Sequence, residues 1–249
     1  MKKLLSILIL SILLLNTGYS LVLAHHANEK YCFDCMHKYK IGDKKNDTYK
    51  FEINLQNNDL SKKVDEQLKD KKTGLVSYIL FENNKILVDQ NRKSKYRGGY
   101  YPSHSVGKSL VSLVTGYAVC DGYINSVFEN IDYPTVANTL YKNQKLLNLL
   151  NMQAGDDPIV GQRFYRKDNR IDGKGINVNS TPIKTVLKRH FEGKTGYGPG
   201  NHYNYSAMTT NVIMNYVIYK TGDDWEKLLH KIFVEDAKVE KSVYFGKSL

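Results

Sequence analysis

Proline is scarce in this chain, and its scarcity excludes some classes of protein. The 249 residues include only five prolines, beside nineteen tyrosines, and they contain no internal repeat. This composition excludes a proline-rich disordered chain and a repeat protein. With 41% hydrophobic residues, the chain is long enough to bury one good core with a small appendage.

Cysteine is also scarce, with three residues in all. Cys32 and Cys35 have histidines nearby, but no second ligand pair stands at the spacing of a zinc site. Met36 occupies the position where a haem-attachment motif needs histidine. We therefore expect a local disulfide or two free thiols, and no metal or other cofactor. Cys120 ends an apolar run and is predicted to be a small core residue.

Acidic residues are outnumbered, 25 against 36 basic ones, which gives a formal net charge of +11. Such a charge can indicate a nucleic-acid or membrane-surface partner. The basic residues are mostly lysines spread along the whole chain, however, without an arginine-aromatic patch or a nucleic-acid motif. A solvated lysine-rich surface is the favoured interpretation, and no nucleic-acid partner is expected.

The N-terminus predicts export. Lys2 and Lys3 precede the run LLSILILSILLL, which is too short for a confident membrane span. Residues 1–24 are predicted to be a signal peptide, and cleavage after Ala24 is favoured over cleavage after Ser20. The working protein is then secreted or periplasmic, and it is membrane-anchored only if the segment stays uncleaved. Residues 25–72 are predicted to be a polar, lysine-rich extension in which LQNNDLSKK marks a loop.

The rest of the chain predicts an α+β fold. Two apolar runs around Asn83-Asn84 indicate a β-hairpin. The run from Val106 to Val119 is apolar on nearly every face and predicts a helix buried on all sides, capped by Ser103 or His104. Further helices are predicted at 141–153, 183–191, 207–220 and 224–235. After residue 90, KSVYF near the end is the one weak strand signal.

Ser105 and Lys108 are candidates for a nucleophile and its base. At positions i and i+3 of a first helical turn, the hydroxyl and the amine share one face. The helix N-terminus favours a developing alkoxide, and burial lowers the pKa of a lysine toward that of a usable base. The competing interpretation is a polar helix start, because S-x-x-K matches also arise by chance in a lysine-rich chain.

Three segments, YPSHSVGKSL from Tyr101, LLNLLNMQAGDD from Leu146 and HYNYSAMTTN from His202, together resemble the serine β-lactamase and penicillin-binding protein superfamily, notably its class C, esterase and 6-aminohexanoate-dimer hydrolase-like branch. YPSHSVGKSLVSLVTGYAVCDGYI resembles the active-site helix of that superfamily, and LLNLLNMQAGDD resembles its LLxMxSG helix end. HYNYSAMTTNVIMNYVIYKTGDDWEKLL resembles the segment with its second motif, Tyr-x-Asn or Tyr-x-Ser. The three occur in the same order as in the family, and the resemblance spans roughly residues 74 to 236.

The resemblance implies a β-lactamase/transpeptidase-like fold, with a helical subdomain beside an antiparallel sheet. It implies that Ser105 is acylated, that Lys108 activates it, and that Tyr205 shuttles protons to and from the leaving group. The backbone N–H of Ser105 would supply half of an oxyanion hole. The implied substrate is a small-molecule amide or ester.

The chain also departs from the family pattern. Ala207 stands where the second motif has asparagine or serine. K-T-G, one form of the third motif, occurs at 72–74, 194–196 and 220–222, but at none of these on a predicted strand in the right order. Residues 73–249 are therefore expected to be a partial domain, truncated at the C-terminus and keeping a two-stranded N-terminal ribbon. The alternative function is an inactive truncated remnant or a non-catalytic binding protein of the same fold.

Overall fold

The computed structural model describes residues 37–42, 47–55, 58–94, 104–160 and 182–246. The described strands are β1 (His37–Ile41), β2 (Glu52–Ile53), β3 (Ser77–Glu82), β4 (Lys85–Asn91) and β5 (Val243–Gly246). The described α-helices are α1 (Asp59–Lys69), α2 (Gly107–Cys120), α3 (Leu146–Leu150), α4 (Asp157–Val160), α5 (Ile183–His190), α6 (Ala207–Thr221) and α7 (Trp225–His230). The chain divides into two compact units: Met1–Phe33 with Lys50–Pro102, and Asp34–Tyr49 with Ser103–Leu249.

In the first unit, α1 packs against a three-stranded sheet of order β2-β4-β3. β2 runs parallel to β4, and β3 runs antiparallel to it. Val64 and Leu68 of α1 form a small core with Val88 of β4. The expected two-stranded ribbon is therefore wrong. β2 adds a strand, and the helix covers apolar side chains that a bare hairpin would leave in water.

The hairpin itself is confirmed. β3 and β4 pair on either side of Asn83 and Asn84, whose φ angles of 50° and 62° are both positive. Such angles at two central residues are those of a type I′ turn, which asparagine tolerates better than most residues. The loop prediction for LQNNDLSKK is wrong from Asp59 onward. Asn58 caps α1 by accepting a hydrogen bond from the Ser61 N–H at 3.0 Å, which starts a helix there.

The second unit is built around α2, α6 and α7, which pack on one another. Its core contains fully buried apolar side chains from all three helices, namely Val114, Ala118, Val212, Val217 and Leu229. α6 ends at Gly222, whose φ is 53°, as expected for a glycine stop. A π-helical turn, Lys231–Asp236, continues α7.

Strands β1 and β5 pair antiparallel in this second unit. Tyr39 of β1 and Phe245 of β5 both lie edge-on to Trp225, with ring centroids 5.9 and 6.1 Å away. The weak strand prediction for KSVYF is thus confirmed. Its partner β1 lies inside the segment predicted to be a polar extension, and the aromatic contacts give that strand its place in the core.

Three expectations for α2 differ from the structure. The helix is buried along one side, at Val111, Val114, Thr115 and Ala118, and not on all sides. Leu113 is 43% exposed, and Cys120 is exposed rather than in the core. Its N-cap is Val106, without a side-chain hydrogen bond, and His104 lies in a preceding 3₁₀ turn.

The predicted helix at 141–153 is confirmed only in its middle, because α3 is one short stretch. Asn143 and Met152 have positive φ angles of 62° and 56°, which the helical conformation does not allow. The helices near 183–191, 207–220 and 224–235 are confirmed. The signal segment, Cys32, Cys35 and Ser103 lie outside the described residues.

Mixed helices and small sheets confirm the α+β class. None of the helices in the described part of the chain is long and apolar enough to cross a membrane.

Candidate active site

Ser105 and Lys108 lie where the chain enters α2. Ser105 is the middle residue of the 3₁₀ turn His104–Val106, and Lys108 is the second residue of the helix. The sequence predicted an α-helical turn at Ser105; the tighter 3₁₀ turn keeps residues i and i+3 on the same side. Ser105 is exposed and Lys108 is half-buried. The hydroxyl is therefore open to solvent and to small molecules.

Tyr205 lies in a non-helical segment just before α6. Ser206 is the N-cap of that helix and accepts a hydrogen bond from the Met208 N–H at 2.9 Å. This cap ends the preceding segment and leaves Tyr205 half-buried at the helix start. The Nζ atom of Lys108 lies 4.8 Å from the centroid of the Tyr205 ring. The packing of α6 on α2 thus brings the candidate base and the candidate proton shuttle together.

The three candidate residues line one cavity of about 350 Å³ within the second unit. The remaining wall combines polar and apolar side chains: Ser109, Val111, Ser112, Leu150, Asn151, Met152, Tyr203, Thr210 and Ile213. Among the described residues of this lining, Lys108 has the one basic side chain. A cavity of this size is in the range of small-molecule binding sites.

Two loops meet beside this cavity. The carbonyl of Met152 accepts a hydrogen bond from the Asn204 N–H at 2.8 Å, and that of Gln153 accepts one from the Gly200 N–H at 2.8 Å. A third bond, 2.9 Å long, runs from the Tyr197 N–H to the carbonyl of Gly155. These backbone hydrogen bonds join the segment after α3 to the glycine-rich loop that leads into Tyr205.

Asp156, which the sequence did not suggest as functional, anchors the same junction. It is fully buried, and its two carboxylate oxygens accept different hydrogen bonds. Tyr141 donates to Oδ2 at 2.7 Å, and the side-chain amide of Asn204 donates to Oδ1 at 3.1 Å. Burial raises the pKa of Asp156, and the two hydrogen bonds offset this only in part. Nothing in the sequence indicated this position, because the pair Asp156-Asp157 opens a charged stretch that includes Arg163, Arg166 and Lys167.

The departures from the family pattern have definite positions. Ala207 is the first residue of α6 and has no side chain that could hydrogen-bond to Lys108 or a substrate. The triplet 72–74 lies at the end of a 3₁₀ turn of the first unit, 194–196 in an irregular segment, and 220–222 at the end of α6. As predicted, none of the three lies on a strand.

No family model matches this chain, and no curated protein matches it. A solved structure, "Putative 6-aminohexanoate-dimer hydrolase from Bacillus anthracis", is similar to it with a TM-score of 0.58 and 13% sequence identity. The similarity covers 92% of this chain and 63% of that chain, so this chain spans less than two thirds of its length. At this identity the likeness concerns the fold alone, and it supports the β-lactamase/transpeptidase fold that the motifs imply.

Proposed function

We propose that this chain is an exported serine hydrolase that cleaves an amide or ester bond through an acyl-enzyme on Ser105. The observation that carries the proposal is the shared cavity, where an exposed Ser105 stands beside Lys108 and Tyr205. A nucleophile, a base and a proton shuttle are the groups that acyl transfer requires in one place.

The reaction follows from these positions. Neutral Lys108 accepts the proton of the Ser105 hydroxyl while Oγ attacks the carbonyl carbon of the substrate. The resulting tetrahedral intermediate collapses and expels the amine or alcohol, which takes a proton through the phenol of Tyr205. Water then attacks the acyl-enzyme and gives a proton to the same groups; the Oγ–acyl bond breaks, Oγ takes a proton back from them, and the acid leaves Ser105 free.

The cavity favours a small, neutral acyl group. Leu150, Met152 and Ile213 contribute apolar wall, and none of the described lining residues is acidic. Among those residues a carboxylate or phosphate on the acyl group would find one basic partner, Lys108, and that amine is needed as the base. The hydrolase name of the structurally similar protein agrees with the reaction class but does not identify a substrate.

Covalent labelling tests the proposal. The full chain and its Ser105→Ala variant are treated with a fluorescent fluorophosphonate and with a fluorescent penicillin, and the labelled residue is located by peptide mass spectrometry. We expect labelling of the unmodified chain at Ser105 and none in the variant. Absence of Ser105-dependent labelling in the folded protein by either probe overturns the proposal.

Export has its own test. Cleavage after Ala24 leaves His25 as the first residue of the mature protein, and cleavage after Ser20 leaves Leu21. Expression of the full chain in a bacterial host, followed by N-terminal sequencing of the periplasmic fraction, distinguishes these products. A cytoplasmic product that keeps residue 1 contradicts export.

A non-catalytic binding protein of the same fold is the second candidate, and Ala207 favours it. The alanine removes the polar side chain expected at the third position of the second motif. A protein of this kind would bind small amides or esters in the cavity reversibly. Saturable binding of a p-nitrophenyl ester by the full chain, without release of p-nitrophenol, would support this candidate over the hydrolase.

A further inference from the structure

We infer that Asp156 is a positioning residue that holds Tyr205 in the cavity through Asn204. The inference rests on the proposed function, because it assigns Asp156 a part in the proton transfer attributed to Tyr205. Asp156 touches neither Ser105 nor Lys108 in the hydrogen-bond network, and its effect is transmitted through the neighbouring residue.

Asn204 and Tyr205 are adjacent and differ in burial. Asn204 is 3% exposed, whereas Tyr205 is half-buried and lines the cavity. Tyr203 and Tyr205 both line the cavity, whereas Asn204 between them is bonded to Asp156, so a fixed Asn204 restrains the direction of the side chain that follows it. Asn204 is fixed twice, by its backbone N–H on the Met152 carbonyl and by its side-chain amide on Asp156.

The side chain of Asp156 suits this purpose because each of its two oxygens accepts a separate hydrogen bond, one from Tyr141 and one from Asn204. Because Asp156 is fully buried, loss of its side chain leaves Asn204 and Tyr141 with donors that water reaches poorly.

A loosened Tyr205 would slow the reaction without abolishing it. A misplacement of about 1 Å at a catalytic group costs about a hundredfold in rate. We therefore expect Asp156→Ala to lower the rate of Ser105 labelling by about tenfold to a hundredfold, measured well below the melting temperature.

A double-mutant cycle with Tyr205→Phe separates positioning from general destabilisation. If Asp156 acts through the phenol, Asp156→Ala lowers the labelling rate when Tyr205 is present and has little further effect in the Tyr205→Phe background. If the two losses multiply, Asp156 does not act through Tyr205 and the inference is wrong.

Two variants serve as controls. Asp156→Asn retains an acceptor for Tyr141, and its amide can donate to Asn204 once the Asn204 amide turns over, so it restores most of the lost rate. Glu129→Ala is the second control, because the Glu129 carboxylate also accepts hydrogen bonds from a tyrosine and an asparagine, but these partners lie outside the two loops beside the cavity. We expect this variant to be less stable and to label at a rate near that of the unmodified chain.

Amide hydrogen exchange tests the inference even if the protein has no measurable catalytic activity. We expect amides of 197–205 to exchange about tenfold faster in Asp156→Ala, and in Asn204→Ala if the first variant fails to fold, but not in Glu129→Ala. Unchanged protection of this segment overturns the inference. Failure of the unmodified chain to label at Ser105 would overturn the proposed function instead, and exchange would still report on the anchor.

Discussion

The Nζ atom of Lys108 lies 4.8 Å from the centroid of the Tyr205 ring, although the two residues lie at the starts of two different helices. Lys108 is in the first turn of α2, and Tyr205 directly precedes α6. This distance lies within the range of a cation–π contact, so an ammonium at Lys108 would be held over the ring. The same contact keeps the amine facing the cavity that Ser105 lines.

Replacement of Lys108 by arginine separates charge from basicity. Lys108→Arg keeps a cation that can stack on Tyr205, but a guanidinium does not accept a proton at neutral pH. We expect ester hydrolysis to fall by about 10² to 10⁴-fold in Lys108→Arg and equally in Lys108→Met, measured as initial rates of p-nitrophenol release. A fully active Lys108→Arg variant would show that Lys108 is not the base.

Gly155 is predicted to be intolerant of alanine. Its φ is 69°, and a Cβ atom there would overlap the carbonyl oxygen of Gly198 in the facing loop. Gly193 is a matched control, with φ at 70° and open space around the same position. We expect Gly193→Ala to cost about 1–2 kcal/mol from the backbone alone. Gly155→Ala should lower the free energy of unfolding, measured with urea, by clearly more, because the added Cβ atom also forces the two loops apart. Equal losses in the two variants would contradict this prediction.

Glu129 should make stability depend on acid pH. Burial by itself raises the pKa of Glu129, but hydrogen bonds from Lys220, Tyr216 and the Asn125 N–H outweigh it and lower the pKa from 4.5 to about 2. A lowered pKa means that the folded state favours the carboxylate, so this stability is fully present above pH 4.5. It is lost as the pH falls toward about 2.

Comparison with Glu129→Gln tests this dependence. At pH 7 the substitution should lower the free energy of unfolding by about 1–3 kcal/mol, because charged hydrogen bonds are replaced by neutral ones. Urea unfolding at several pH values should show the difference between the two proteins shrinking from pH 5 downward. A difference that stays constant to pH 2.5 would contradict the assignment.

The turn between β3 and β4 should reject a β-branched residue. Asn83 has φ at 50°, a conformation that strains most side chains but not glycine. Asn83→Val should destabilise the first unit by about 1–3 kcal/mol, and Asn83→Gly should have a much smaller effect. Hydrogen exchange of the β3 and β4 amides measures the destabilisation caused by each substitution. Equal protection in the two variants would show that the turn is not type I′.

The local signals explain which elements could be predicted. The hairpin at Asn83-Asn84 and the end of α6 before Gly222 were both predictable from the sequence. Each depends only on residues that are neighbours along the chain. The errors arise where distant residues decide. α2 is apolar all round, yet only one side finds partners in the core, and Leu113 remains 43% exposed. β1 is too polar to predict by itself and depends on pairing with β5.

The candidate site shows the same division. Ser105 and Lys108 could be proposed from the sequence because their relation is local, three positions along one turn. Tyr205 could be proposed only from its resemblance to a family motif. Asp156 could not be proposed at all, since its partners Tyr141 and Asn204 come from separate segments and nothing in the local sequence reports its burial.

Propensities and spacings act over a few residues, and they were enough to predict the α+β class, the hairpin turn and the glycine at the end of α6, and to give Ser105 and Lys108 as candidates. The tertiary structure decided which face of α2 is buried, that β1 joins β5, and that Tyr205 meets Lys108. It also decided that Asp156 lies under the loop before α6. These outcomes depend on packing between segments that are far apart in the chain. The burial of apolar surface selects among the possible pairings, and it is a property of the whole fold.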